Sequence, residues 1–158
     1  MRKVLMFASV VFIALPWATS AQSEKGATDD LKKIQGSWSV VAEFGKTKNV
    51  GNRKWIFNGN KYLVKEDGKI TEEGTFTLDA STKPARIDLQ IFKTKEGPKV
   101  KGKFIDKGKF QQGIYLLEGD TLKVCFTIPG KQTRPTSFST KAKETDVHET
   151  CKRDNSTK

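Results

Sequence analysis

From Ser37 onward the chain alternates apolar and polar residues with a period of two. Trp38, Val40, Ala42 and Phe44 fall on one face of a first strand, and Ile87, Leu89 and Ile91 alternate with Arg86, Asp88 and Gln90 in a half-buried one. Turn chemistry punctuates this pattern at Asn58-Gly59-Asn60, Asp67-Gly68, residues 79–84, Glu118-Gly119-Asp120 and Pro129-Gly130. The strands so delimited are 54–58, 61–65, 74–78, the Ile87 strand, 110–117, 121–128 and a closing strand 146–153, with 135–139 as a short extended piece carrying Phe138. Ahead of them, Thr28-Asp29-Asp30 offers a cap and acids for a first turn, Lys32 and Lys33 follow, and Leu31 and Ile34 share a side. One short helix is expected over 28–35, ended by Gly36.

About eight strands with no long amphipathic helix between them exclude parallel βαβ units. In up-and-down order such strands favour closure, because a closed sheet has no exposed edge and encloses an interior that side chains fill or a small ligand occupies. The expected class is an all-β antiparallel barrel with a short N-terminal helix; a two-sheet sandwich is the alternative. The domain is expected to span 31–153, after a flexible leader at 22–30 and before a frayed tail at 154–158.

Alternation predicts an inward set of Trp38, Val40, Phe44, Phe57, Phe76, Leu78, Ile87, Leu89, Ile91, Ile114, Leu116, Leu122, Val124 and Phe126. These form a filled core or line a lumen. The lumen reading gives the ligand candidates Trp38, Val40, Phe44, Phe57, Tyr62, Phe76, Leu89, Ile114, Leu116 and Phe126, with Tyr62 or Tyr115 as a polar handle.

The first residues change the picture of where the protein works. Met1-Arg2-Lys3 precedes an apolar run over 4–15, and small residues follow at Ala18, Ser20 and Ala21. A secretory signal over 1–21 is expected, the run being shorter than the roughly 20 residues that span a bilayer. An exported, periplasmic or extracellular protein with no transmembrane segment after cleavage follows. Loss of Arg2 and Lys3 lowers the net charge from +11 to +9 over 137 remaining residues, a length that suits one domain.

So basic a surface attracts anionic partners. The lysines concentrate at Lys93, Lys95, Lys99, Lys101, Lys103, Lys107 and Lys109, against Glu96 and Asp106, with Phe104 and Phe110 interleaved. A contact with an anionic envelope polymer or a membrane surface is one reading. A solvated ribbon whose lysines discourage edge pairing is the other. Nucleic acid is a poor partner for an exported chain.

Cys125 and Cys151 are the two cysteines, and an oxidising compartment lets them pair. A bridge would close a loop of about 26 residues, worth roughly 3 kcal/mol. Alternation opposes it: Leu122, Val124 and Phe126 point one way and Cys125 the other, while Cys151 shares its side with Val147. Both outcomes stay open.

No catalytic constellation emerges. His148 is the single histidine and reads as a surface or rim imidazole, and one histidine with two cysteines cannot assemble a zinc site. Glu72-Glu73 and Asp29-Asp30 lie on a turn and a helix start, unlike the converging pair of a glycosidase. No enzyme activity and no cofactor are expected.

Gly36-Ser37-Trp38, leading from a helix onto the first strand, resembles the Gly-x-Trp signature of lipocalins, in which the Trp closes one end of the barrel. That resemblance implies a basic residue packed over the Trp38 ring, and Arg153 is the matching position. A longer pattern resembles an uncharacterised family of small exported planctomycete proteins with a lipocalin-like domain. It runs through Gly74-Thr-Phe-Thr-Leu-Asp79, Lys83-Pro84, Ile87-Asp88-Leu89, Gly113 to Phe126 and Arg134-Pro135-Thr-Ser-Phe138. The resemblance covers residues 31 to 153 and implies fold and export but no activity. Glu149 and Cys151 depart from it, standing where aliphatic residues are expected. The function expected is a binding module holding a small hydrophobic or amphipathic ligand; the alternative is an envelope interaction protein using its lysine-rich surface to contact an anionic polymer or a protein.

Overall fold

The computed structural model describes residues 20–43, 51–94, 110–138 and 146–155. Helix α1 (Ser20–Ile34) precedes β1 (Gly36–Glu43), β2 (Arg53–Asn58), β3 (Lys61–Glu66), β4 (Lys69–Asp79), β5 (Ala85–Thr94), β6 (Phe110–Glu118), β7 (Thr121–Thr127) and β8 (Asp146–Arg153). Each strand pairs antiparallel with the next, and β8 returns to β1, so the sheet closes into a lipocalin-like barrel without an edge. Residues 129–138 form no strand and cross the outside of the wall, where Arg134 donates from Nη1 to the Gly113 carbonyl at 2.6 Å and from Nη2 to Asp88 Oδ2 at 2.9 Å.

The helix is longer than capping chemistry predicts, and it occupies the residues expected to be a flexible leader. Ala21, Gln22, Glu24, Lys25 and Ala27 are good helix formers, and they carry the helix back past Thr28. Gly26 sits against the β4–β5 turn, where a Cβ would lie 3.6 Å from the Ala80 Cβ.

At its other end the helix is locked to the barrel floor. Gly36 takes φ 102°, a conformation that side chains disfavour, and turns the chain from helix into β1. Trp38, fully buried two residues on, donates from Nε1 to the Ile34 carbonyl at 2.7 Å. The Arg153 guanidinium lies 4.1 Å over the Trp38 ring and donates to the Gln35 and Lys33 carbonyls at 2.8 and 2.6 Å, two acceptors the helix leaves open. Gln35 accepts from the Gly59 backbone N–H at 2.7 Å, tying the β2–β3 turn to the same point. Tyr115 reaches Asp30 Oδ2 at 2.7 Å from the other side.

The inward faces meet in one core that includes Trp38, Val40, Trp55, Phe57, Tyr62, Val64, Phe76, Ile87, Leu89, Leu122, Val124, Phe126 and Cys151, with Leu78 and Val147 packed against it. Strand β6 departs from expectation by one residue. Its inward members are Tyr115 and Leu117; Ile114 is buried outside the core cluster, and Leu116 is 36% exposed. The β6–β7 turn decides this. Glu118 pairs with Thr121, which sets Leu117 opposite Leu122, Tyr115 opposite Val124 and Gly113 opposite Phe126. Because side chains alternate, a phase error of one puts every residue of a strand on the wrong face. Ile114 and Leu116 are therefore outer residues and not lumen residues.

No disulfide joins Cys125 to Cys151. Cys151 belongs to the core, whereas Cys125 lies opposite His148 on the outer side, so the wall of the barrel separates them.

Arg153→Ala removes the cation–π contact and two helix-capping hydrogen bonds, and is expected to destabilise the fold by about 2 to 3 kcal/mol in urea denaturation. Arg153→Lys restores the charge but not the fork, so it recovers only part of the loss.

Candidate functional site

With one end of the barrel closed by α1, the chemistry concentrates toward the other. Trp55 stands at the centre of the interior aromatics: its ring lies 5.9 Å from Phe57, 5.6 Å from Tyr62 and 5.6 Å from Phe126, and Phe57 meets Phe76 edge-on at 5.0 Å. Such offset and edge-on contacts suit the ring quadrupoles and make one rigid aromatic wall. Gly74 lets the wall close. A Cβ there would lie 2.1 Å from the Gln90 carbonyl oxygen and 2.9 Å from the Tyr62 ring.

Above this wall the interior turns polar. Glu149 is fully buried between Val147 and Cys151 on the inner face of β8. Its Oε2 accepts from Trp55 Nε1 at 2.6 Å. Its Oε1 lies 3.1 Å from Arg53 Nε, but the N–H is not aligned with it, so the contact is an ion pair without a hydrogen bond. Arg53 also meets Glu66 at 3.2 Å through Nη1. Tyr62 donates to Glu72 Oε1 at 2.8 Å. Glu43 pairs with Glu149 in the β1–β8 register and adds its charge nearby. Four carboxylates thus gather around one guanidinium inside a strongly basic protein.

Burial raises the Glu149 pKa above its ordinary value; Arg53 and the Trp55 hydrogen bond oppose the shift, and Glu43 and Glu66 add to it. Burial also raises Glu72, against the pull of Tyr62 and Arg53. The Tyr62 phenol is pushed up by burial and by Glu72, so it stays a donor. Burial likewise raises the Cys151 thiol, which disfavours the nucleophilic thiolate.

Alternation already held most of this cluster. Counting back by two from Phe57 reaches Trp55 and Arg53, counting forward from Tyr62 reaches Val64 and Glu66, and Glu149 sits between two inward residues. What the count could not supply is which rims meet. Of the expected lumen residues, Trp38, Val40, Phe57, Tyr62, Phe76, Leu89 and Phe126 lie in the core, with Trp38 at the closed end beside Arg153. Phe44 and the lysines at 95, 99, 101, 103, 107 and 109 lie outside the described residues, as does the Lys93 side chain.

His148 is not a surface imidazole. It is 6% exposed on the outer face beside Cys125, its ring 5.9 Å from Phe138, and neither nitrogen has a hydrogen-bond partner. Burial, helped by Lys123, lowers its pKa, which favours the neutral ring. Among the described residues no group of three or more His, Cys, Asp or Glu is placed to hold a metal ion, and no helix is long and apolar enough to cross a membrane.

Arg53→Ala leaves Glu149 buried without its counter-ion. The expected loss at pH 7 is about 3 kcal/mol, the low end for breaking a buried pair because Arg53 is itself 29% exposed. Glu149 and Glu72 have folded pKa values above the ordinary 4.5, so the stability they contribute is complete below that value and is lost as pH rises through the folded ones. Removing Arg53 raises those values further, so the deficit is expected to shrink on going from pH 7 toward pH 5 in parallel urea titrations.

Comparison with protein-family models, with curated proteins and with solved structures returns no match for this chain.

Proposed function

We propose that the protein is an exported binding module whose barrel takes a small amphipathic ligand through the end opposite α1. The apolar part of the ligand lies along the wall of Trp55, Phe57, Phe76 and Phe126, and its head group meets the carboxylates around Arg53. The observation that carries this reading is the fully buried Glu149, held, among the described residues, with three further acids and one paired cation, Arg53. Burying ionisable groups costs several kcal/mol per ion, and a well-packed apolar set of similar volume is often more stable. Fold stability therefore gives no reason to keep them, and ligand recognition does.

The sign of the cluster favours a cationic or hydrogen-donating head group, such as a primary amine, over a carboxylate or phosphate. An amine approaching Glu149 and Glu72 stabilises their ionised forms and displaces their protons. Affinity for a cation then rises with pH, as these two carboxyls lose protons on their own.

The test is a tryptophan-fluorescence titration of residues 22–158 with dodecylamine, lauric acid and an uncharged dodecyl glycoside, each below its micelle concentration. Saturable binding of the amine is expected, at least tenfold tighter than the fatty acid and tighter at pH 7.5 than at pH 5.5. Glu149→Gln is expected to lose most of that preference. Preference for the fatty acid, or no saturable binding of any of the three, overturns the proposal.

A further inference from the structure

Ile114, Cys125 and His148 face outward, yet they are buried, with exposures of 1, 2 and 6%. They form a row across the wall. Ile114 of β6 stands opposite Cys125 of β7, and Cys125 stands opposite His148 of β8. The outer face of an antiparallel sheet meets water unless something lies over it, and here the cover is the strap of residues 129–138. One part of the strap is anchored over β5 and β6: the Gly130 N–H donates to the Phe110 carbonyl at 2.8 Å, and Arg134 donates to the Gly113 carbonyl and pairs with Asp88. Beyond these anchors come the buried Pro135 and then Phe138, whose ring lies 5.9 Å from that of His148.

An imidazole is the odd member of this row. Both of its nitrogens are buried without a hydrogen-bond partner. A neutral ring can be held in this way, but an imidazolium brings two N–H donors and a charge that call for water or an anion. The charge that acts on His148 has the same sign: it is Lys123, two residues before Cys125 on β7. The charged residues of the strap, Lys131 and Arg134, are cations too, and Asp88 is already engaged by Arg134. The outer residues of β6 around Ile114, Gln112 and Leu116, are uncharged. On β8, Glu149 turns to the interior, where Trp55 and Arg53 hold it, and Glu43 of β1 pairs in register with Glu149. Alternation puts Asp146 and Thr150 on the outer face of β8, and neither nitrogen of His148 is bonded to them. Cys125 is the other titratable group of the row.

We propose that protonation of His148 lifts the Phe138 end of the strap from the wall and uncovers Cys125, so that the outer wall opens in mild acid while the barrel stays closed. With the strap down, burial and Lys123 hold the His148 pKa below its ordinary 6.5; with the strap lifted, the ring meets water and returns toward that value. The covered state therefore binds fewer protons. It is fully favoured above pH 6.5 and loses ground as the pH falls below that, the open fraction rising by up to about tenfold per pH unit until the folded pKa is passed. The device is local, of the kind that opens a segment without unfolding the domain, and it is independent of what the interior holds.

Labelling of the purified protein with a dipyridyl disulfide, a thiol reagent that stays reactive in acid, tests it, with the modified cysteine identified by peptide mapping. Each rate is divided by that of the urea-unfolded chain at the same pH, which removes the change in thiolate fraction. Between pH 7.5 and pH 5 the normalised rate at Cys125 is expected to rise about tenfold or more, while Cys151, inside the barrel, stays unlabelled. His148→Leu and His148→Gln, which do not titrate, are expected to abolish the rise, and Phe138→Ala to raise the Cys125 rate already at pH 7.5. Deuterium uptake over residues 129–138, corrected for the intrinsic pH dependence of exchange, follows the same opening without any substitution and is expected to grow below pH 6.5 ahead of uptake in β3 and β4. A normalised Cys125 rate that is flat over this range overturns the proposal, as does a rise that persists in both His148 variants. Labelling of Cys125 and Cys151 in step also overturns it, because the whole barrel would then be opening.

Discussion

The floor of the barrel rests on one interaction, the Arg153 guanidinium stacked on Trp38 and hydrogen-bonded to the Lys33 carbonyl of α1 and to the Gln35 carbonyl just after it. It joins the first strand, the last strand and the helix at a single point. Closure of the sheet brings β8 beside β1, which sets Arg153 directly across from Trp38. The contact in turn orients α1 across the base. With that end plugged by Ile34, Trp38 and the Tyr115–Asp30 hydrogen bond, the polar chemistry of the interior gathers toward the opposite end.

A second constraint acts in the upper interior. Glu149 cannot be left there as an isolated ion, because its desolvation would cost more than the fold can absorb. Two residues two apart on β2 supply what it needs: Trp55 as a donor and Arg53 as a charge. Trp55 is shared between two roles, since its ring anchors the aromatic wall while its N–H holds the carboxylate. The wall and the acid cluster are therefore one unit, apolar below and negative above. The exterior is the reverse in sign. A cluster of carboxyl groups thus lies inside a protein of net charge +11.

The barrel was legible because its evidence is local and repeated. Alternation in β1 and β5, with turn residues between the runs, predicts antiparallel neighbours. Strand β6 was misread for an equally local reason: Ile114-Tyr115-Leu116-Leu117 is apolar at every position and carries no phase of its own. Its phase comes from pairing with β7 across the Glu118–Thr121 turn. His148 was misplaced because outer positions of a barrel are normally wet, and only the tertiary structure lays residues 129–138 across that wall. The extra turns of α1 escaped because Thr28-Asp29-Asp30 looks like a helix start, yet the helix formers before it continue the helix.

By itself the sequence determined the alternating character of most strands, the turns that end them and the Gly36 break, since these depend on backbone geometry within a few residues; the contact of Trp38 with Arg153 was only what a resemblance implied. The facing of an all-apolar strand, the separation of Cys125 from Cys151 and the meeting of Glu149, Arg53 and Trp55 were decided only by the tertiary structure. Each depends on which strands lie side by side and in what register, and hydrogen bonding between segments as much as 120 residues apart settles that. Buried charge is the plainest case. Alternation places Glu149 on the same face as Val147 and Cys151, but only the closure of the barrel around that face makes it the centre of an interior site.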